Sequence, residues 1–319
     1  MRLGSAVQIV FTGLKIAVIL AIVVLAFTIG HGSLANFTQS AVTFSGGYAP
    51  VFLAFIIAMS GAFWAYDGWI NLTYLAGEIK NPQKNMPRAM IIAAVVFISI
   101  YLLINLAYFY IIPVHEMGAK YLAAEKTGQS YLVATDVAST FLGGWGGSLI
   151  AVAIMISTFG TVNGTLMMSA RVYYAMAKEK LFFRRLQDVH PRYRTPGPSL
   201  VVQAAWTSVL ILSGTFDQLT DMLIFVSWIF YAAAALGVIA LRRKMPDHER
   251  PYKVWGYPAV PVLFIVFAMV YVVFTLDSDI ANYAAGRAPL INSLMGLLLV
   301  AAGIPGYLYW KARKKKEQC

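Results

Sequence analysis

Long apolar segments alternate with short polar segments along most of the chain. An apolar run of about twenty residues is long enough to cross the hydrocarbon core of a bilayer as an α-helix. Eight such runs are present, and the run at 199–214 is the shortest. The predicted spans are residues 5–29, 48–76, 89–112, 146–174, 199–214, 220–241, 257–276 and 289–310. This pattern predicts an all-α integral membrane protein that forms a single transmembrane domain over residues 1–319.

Composition and charge placement agree with a membrane protein. The 319 residues are 59% hydrophobic and 12% charged, and their mean hydropathy is +0.68, whereas about a quarter of the residues in soluble domains are charged. The net charge of +11 raises the alternative of a nucleic-acid partner, but the cations lie in alternate gaps between the spans. One set of gaps holds only Lys120, Lys126 and Arg287. The other set holds Arg2, Lys80, Lys84, Arg88, Arg171, Lys178, Lys180, Arg184, Arg185, Arg192, Arg194, Arg242, Arg243, Lys244, Arg250, Lys253, Lys311, Arg313, Lys314, Lys315 and Lys316.

This asymmetry predicts the orientation of the protein in the membrane. Lys and Arg concentrate on the cytoplasmic side of membrane proteins, so both termini are predicted to be cytoplasmic in a multi-pass protein of the cell membrane. The expected surroundings are a lipid bilayer and no nucleic acid, and the tail "KARKKKEQC" is predicted to face lipid headgroups.

Neither a metal site nor a cofactor is predicted. The single cysteine, Cys319, is the last residue, and the four histidines fall in predicted loops without metal-ligand spacing. No phosphate-binding loop, dinucleotide fingerprint or hydrolase motif is present. Asp67 is the only acidic residue in the interior of a predicted span, so a membrane-embedded enzyme has little support.

The second predicted span, residues 48–76, is too long for a straight crossing. Its 29 residues would extend about 44 Å as an α-helix, against a hydrocarbon core of about 30 Å. A steep tilt would explain this length, and so would a break near residues 65–69, where Gly68 follows Asp67 in "GAFWAYDGWINL". A broken helix offers free carbonyls to an ammonium group and free amides to a carboxylate, so it suits a zwitterion.

Three side chains within the spans allow two interpretations each. Lys15 either extends toward the membrane surface or serves as a buried cation in a coupling-ion position. Asp67 is either a hydrogen-bonded polar group at the helix break or a part of the site itself. Trp64 is either a packing residue or, because it lies near mid-depth, a ring that closes over a ligand.

Three blocks of the sequence resemble one family in the same order. "VFTGLKIAVILAIVVL", "AFWAYDGWINLTYLAGEIKNPQKNMPRAM" and "ISTFGTVNGTLMMSARVYYAMAKEKLF" are similar to the fifth, sixth and eighth helices of the L-amino-acid transporters. This family belongs to the amino acid–polyamine–organocation superfamily. The resemblance implies a leucine-transporter-like inverted-repeat fold of twelve helices. The present fold would be incomplete, since the eight spans would correspond to helices five to twelve.

The resemblance also implies roles for individual residues. The helix break would bind the ammonium group of the substrate through its backbone carbonyls, with Trp64 as an aromatic gate. Lys15 would occupy the sodium position of sodium-coupled relatives, next to the eighth helix. The implied substrate-binding residues are Phe63, Trp64, Ala65, Tyr66, Asp67, Gly68 and Asn163, and the implied coupling and gating residues are Lys15, Ser157, Thr158 and Trp64.

The implied function is sodium-independent movement of L-amino acids by alternating access, as a permease or antiporter. Helices one to four of the family have no counterpart, so the chain alone is expected to be inactive. The expected partners are an amino acid substrate and, as one explanation, a polypeptide that supplies the missing N-terminal helices. The alternative is a non-transporting membrane protein that binds or senses amino acids.

Overall fold

The computed structural model describes residues 2–38, 48–127 and 129–316, and within these ranges every regular element is a helix. The long apolar runs form helices because a membrane-spanning helix pairs its backbone groups internally. The described residues form ten α-helices in the order α1 (Arg2–Thr28), α2 (Tyr48–Tyr66), α3 (Pro82–Ile111), α4 (Val114–Lys126), α5 (Val133–Leu142), α6 (Gly146–Lys178), α7 (Gly197–Ser213), α8 (Phe216–Lys244), α9 (Ala259–Ala284) and α10 (Asn292–Lys316). Short 3₁₀ helices occupy Leu34–Phe37, Trp69–Glu78, Gly143–Trp145 and Arg184–Gln187.

The structure confirms the all-α membrane class. Within the described ranges, six helical stretches are long and apolar enough to cross a membrane. They are α1, α3, α5 joined with α6, α8, α9 and α10. Helix α7 has only 17 residues, and α2 is not among the six. The number of eight spans and the single-domain organisation therefore stay predictions.

Two stretches that the sequence assigned to loops are helical. Helices α4 and α5 lie between the third and fourth predicted spans, so His115 lies on a helix and its assignment to a loop was wrong. Both helices are short, and α4 carries charged residues such as Glu116 and Lys120, so a search for twenty-residue apolar runs passes over them.

Helices α8 and α9 are longer than their predicted spans. Helix α8 begins at Phe216 because Thr215 and Gln218 form a reciprocal capping box, with hydrogen bonds of 3.3 and 3.0 Å. Helix α9 continues to Ala284. Four further aspartates lie on these two helices, one of them already near the start of the predicted span 220–241, so the expectation that Asp67 is the only acidic residue in the interior of a span was wrong. They are Asp217, Asp221, Asp277 and Asp279.

The contacts divide the chain into two compact units, and two of the three boundaries fall inside α3 and α6. The first unit comprises residues 1–45 and 88–167, and the second comprises residues 46–87 and 168–319. The core of the first unit joins α1, α3, α5 and α6 through small and branched side chains. Its buried members are Ile22, Val23, Ala26, Ile104, Ala107, Ala138 and Ile150.

The core of the second unit is aromatic and joins α2, α8 and α9. Tyr271 is 1% exposed, and its ring centroid lies 5.4 Å from that of Trp228. Ile56 and Ile224 complete the buried cluster. Large rings fill much volume and interact favourably at these centroid distances, so α2 is packed firmly against α8 and α9.

A polar network in the first unit fixes the approach of α4 to α5. Lys120 donates to Asp136 at 2.8 Å and pairs with Glu116 at 2.9 Å, and the Tyr131 hydroxyl donates to the same Asp136 oxygen at 2.8 Å. These hydrogen bonds to carboxylates raise the pKa of Lys120. Burial, together with the hydrogen bond to Asp136, raises the pKa of Tyr131 to about 12.

We expect this network to weaken at alkaline pH. Both groups hold their protons more tightly in the folded unit, so their contribution is complete below about pH 10 and decreases as the pH rises toward 12. Replacement of Tyr131 by phenylalanine should lower the unfolding midpoint at pH 8, and the deficit should shrink as the pH approaches 12. Thermal unfolding in detergent at several pH values measures this deficit. Tyr121→Phe, at an exposed tyrosine of α4, is the matched control. A Tyr131→Phe deficit that stays constant with pH would contradict the assignment.

Candidate functional site

The α-helical conformation of the second apolar segment ends within "AYDGW". Helix α2 ends at Tyr66, Gly68 adopts φ +98°, and the 3₁₀ helix begins at Trp69. A left-handed φ is easily reached by glycine and costs other residues energy. The Asp67 amide donates to the Trp64 carbonyl at 3.2 Å, and the Asn71 amide donates to the Gly68 carbonyl at 3.1 Å. The backbone therefore changes from α to 3₁₀ geometry around one glycine.

The Asp67 side chain connects this transition to α8. The Tyr231 hydroxyl donates to Asp67 Oδ1 at 2.6 Å, and the Tyr231 ring lies 5.1 Å from that of Trp69. This contact favours the interpretation of Asp67 as a hydrogen-bonded group that supports the break. Tyr231 was not among the predicted site residues, because no local pattern distinguishes it from the other tyrosines of the chain.

The far end of the 3₁₀ helix is held by an ion pair that the sequence analysis also missed. Arg171 on α6 donates through Nε to Glu78 Oε1 at 2.6 Å and through Nη2 to Glu78 Oε2 at 3.2 Å. A bidentate arginine–carboxylate pair fixes both position and orientation. The 3₁₀ helix is thus held by Asp67–Tyr231 just before its beginning and by Glu78–Arg171 at its end.

The aromatic side chains before Gly68 have different environments. The Phe63 ring packs into the aromatic core, with centroids 4.1 Å from Trp228 and 4.8 Å from Tyr271. Trp64 is 39% exposed, and its ring meets the Phe216 ring edge-on at 5.8 Å. Ala65 and Tyr66 are also exposed. Phe63 therefore anchors the helix end, while Trp64 retains an accessible face.

Lys15 pairs with a hydroxyl of α6. Its Nζ donates to Thr161 Oγ1 at 2.6 Å, and this hydroxyl donates to the Ser157 carbonyl at 3.0 Å. Thr161, one turn after Ser157, was missed as a neighbour of Lys15. Ser157 enters the arrangement through its backbone, and Thr158 is exposed. This contact favours the interpretation of Lys15 as a cation held between two helices over a side chain that extends to the membrane surface.

Small residues bring α1 and α6 together beside Lys15. A Cβ added to Gly160 would lie 2.7 Å from Phe11 Cβ and 3.5 Å from Lys15 Cε, and one added to Gly164 would meet Gln8 at 3.1 Å. The Gln8 oxygen accepts a hydrogen bond from Asn163 Nδ2 at 3.3 Å. The glycine pair therefore serves close helix packing, and Asn163 contributes to the same helix contact.

The implied site residues fall into two groups. Phe63, Trp64, Ala65, Tyr66, Asp67 and Gly68 lie in the second unit, whereas Lys15, Ser157, Thr158 and Asn163 lie in the first. Each contact given above lies within one of the two units. Among the residues that the structure describes, no three histidine, cysteine or acidic side chains are grouped to hold a metal ion.

We expect the Asp67–Tyr231 contact to contribute about 1 kcal/mol to the unfolding free energy, the usual size of a side-chain hydrogen bond between membrane helices. A double-mutant cycle with Asp67→Asn and Tyr231→Phe, followed by unfolding in detergent, measures it. The two single changes should each destabilise, and the double change should cost less than their sum. Strictly additive effects would show that the contact does not stabilise the break. Tyr252→Phe, at an exposed tyrosine, serves as the control.

Comparison with known proteins identifies similar sequences. The family model for amino acid permeases matches residues 1–298. The serine/threonine exchanger SteT of Bacillus subtilis is 36% identical over 260 residues, which cover 81% of this chain and 55% of that protein. The human b(0,+)-type amino acid transporter 1 is 30% identical over 307 residues, with coverages of 96% and 58%. The human cystine/glutamate transporter is 29% identical over 319 residues, with coverages of 99% and 58%. The chain thus spans little more than half the length of these relatives.

Proposed function

Since this chain belongs to the amino acid permease family, and within it to the L-amino-acid transporter type, we propose that it forms part of an amino acid exchanger. The proposed activity is that of the whole transporter, which moves L-amino acids across the cell membrane by alternating access. Further transporter sequence, in the same polypeptide or in another, would complete the site and the inverted-repeat fold. Both termini of the present chain would be cytoplasmic, and no chemical step would be catalysed.

The observation that carries this proposal is the α-to-3₁₀ transition at Gly68. The end of the α-helix inside an apolar segment interrupts the regular α-helical pairing of the backbone carbonyls. In a membrane such groups are tolerated where they are buried or line a cavity. A carbonyl oxygen has two lone pairs, so the carbonyls of residues 63–66 would accept from the substrate ammonium group in addition to their present partners, and the exposed face of Trp64 would cover it. Phe63 and Asp67 would hold these groups in place through the aromatic core and Tyr231.

The Lys15–Thr161 hydrogen bond supports independence from sodium. A lysine ammonium is a fixed positive charge with several donors, and here it is directed at a hydroxyl and, through it, at the Ser157 carbonyl. Hydroxyl and carbonyl oxygens are also the ligands that a hard cation prefers. Lys15 would therefore take the place of a coupling ion, with Ser157 and Thr158 in the surrounding wall and Asn163 nearby.

Reconstitution of the complete gene product in proteoliposomes tests the proposal. Uptake of labelled amino acids should be stimulated by unlabelled amino acids inside and unchanged when choline replaces sodium. A set of amino acids that includes serine, threonine, cystine and glutamate covers the substrates in the relatives' names. Saturable binding without uptake would instead support the alternative of a non-transporting binding or sensing protein. The absence of both binding and uptake would refute the exchanger and the binding or sensing protein alike.

A further inference from the structure

The end of α8 and the loop before α9 line an open basic cavity that takes no part in the proposed transport site. The cavity has a volume of about 380 Å³ and is lined by Arg242, Arg243, Pro246, Arg250, Lys253 and Tyr257. Within the described part of the chain its lining holds four cations and no carboxylate, although Asp247 and Glu249 belong to the same loop. A pocket of this charge selects an anion that can accept several donors at once.

Two of the four cations are fixed by the loop itself. The Arg242 guanidinium carbon lies 3.8 Å from the centroid of the Tyr257 ring, in a cation–π contact. The Arg250 guanidinium donates to the carbonyls of Pro246 at 3.0 Å, His248 at 2.8 Å and Met245. Neutral carbonyls leave its charge uncompensated. Cations held in this way lose less side-chain entropy when an anion binds.

Neighbouring aromatic residues place the cavity at the level of lipid headgroups. Trp255 is 85% exposed and Tyr252 is 51% exposed, and both lie in the same loop. Exposed tryptophan and tyrosine at the end of a spanning helix are typical of the membrane interface. Helices α8, α9 and α10 follow one another as membrane spans, so this loop and the basic end of α10 lie on the same side of the bilayer.

We propose that this cavity binds the phosphate group of an anionic lipid headgroup. Phosphate oxygens accept hydrogen bonds from arginine in a fork geometry and from lysine as a point charge. Basic pockets beside membrane helices on the cytoplasmic side are suited to such headgroups. Arg242 and Arg250 form the fixed wall of the site, Arg243 and Lys253 supply exposed cations, and Trp255 lies beside the acyl chains. The lipid would thereby hold the α8–α9 loop against the membrane.

Titration of the purified 319-residue chain in detergent with short-chain phosphatidylglycerol tests the proposal. The expected affinity is at least tenfold higher than for phosphatidylcholine of the same chain length. The double change Arg243→Gln with Lys253→Gln should weaken binding of phosphatidylglycerol tenfold to thirtyfold. Lys80→Gln with Lys84→Gln removes the same charge on the same predicted side of the membrane, at exposed positions outside the cavity, and should weaken it less than threefold.

Two further measurements distinguish lipid phosphate from free phosphate and test whether weaker binding results from unfolding. Inorganic phosphate and glycerol phosphate should fail to displace the lipid at equal concentration, because neither has acyl chains. Equal weakening by both double changes, equal affinity for the two lipids, or displacement by inorganic phosphate would each overturn the lipid assignment. Thermal unfolding should show that both double variants are as stable as the unaltered chain. If only the Arg243→Gln, Lys253→Gln double variant is destabilised, the single variant Arg243→Gln, at an exposed side chain, replaces it in the binding comparison.

Discussion

Replacing Lys15 by methionine is expected to reduce amino acid exchange by roughly a hundredfold, or about 2.7 kcal/mol of transition-state stabilisation. Methionine has similar length and retains the apolar contacts with α6, but it removes the charge and the donor to Thr161 Oγ1. If Lys15 replaces a coupling ion, its loss leaves the Thr161 hydroxyl and the Ser157 carbonyl without the cation that they face. Exchange rates in proteoliposomes made from the complete gene product measure the effect.

Variants at Thr161 separate the charge of Lys15 from its hydrogen bond. Thr161→Ser keeps the hydroxyl and should retain most of the exchange, whereas Thr161→Val removes it and should reduce exchange about tenfold. Lys126→Met, at an exposed lysine of α4, removes a charge outside the spans and should have less than a twofold effect. Normal exchange in Lys15→Met would refute the coupling role. It would leave the packing of α1 on α6 as the function of this region.

Replacing Gly68 by alanine is expected to destabilise the protein by about 1–2 kcal/mol and to reduce exchange about tenfold. The cost comes from the backbone, because a side chain at φ +98° is strained. Space is available, since an added Cβ would meet only Asn71 Nδ2, at 3.6 Å. Unfolding in detergent and exchange in proteoliposomes give the two readings.

Gly61→Ala is the matched control for this substitution. Gly61 lies within α2, and an added Cβ would meet no atom within 4 Å. Alanine is the better helix former by about 1 kcal/mol, so Gly61→Ala should be neutral or stabilising and should leave exchange unchanged. Equal effects of the two changes would mean that the left-handed conformation at Gly68 is not required. A Gly68→Ala variant that loses stability but keeps exchange would show that the left-handed conformation supports the fold and is not needed by the proposed site.

Gly61 and Gly68 show which features of this segment could be predicted from the sequence. Both lie in the same apolar segment, and only the second is followed by the 3₁₀ helix. The excess length of the predicted span 48–76, together with Gly68 after Asp67, indicated a possible helix break at residues 65–69 without the structure. The partners of this transition, Tyr231 and Arg171, are distant in sequence and left no local signal. The capping box at Thr215 and Gln218 was visible in the sequence and would have corrected the start of α8.

The sequence by itself determined that this protein lies in a membrane, that it is helical, and to which family it belongs. Each spanning helix satisfies its backbone hydrogen bonds internally and meets lipid through its own side chains, so local hydropathy is sufficient to identify it. Only the tertiary structure decided which polar side chains meet: Lys15 with Thr161, Asp67 with Tyr231, Glu78 with Arg171, and the four cations around the α8–α9 cavity. Each of the three pairs joins separate helices and depends on helix rotation and depth. Those quantities are set by packing between helices and not by the order of residues along one of them.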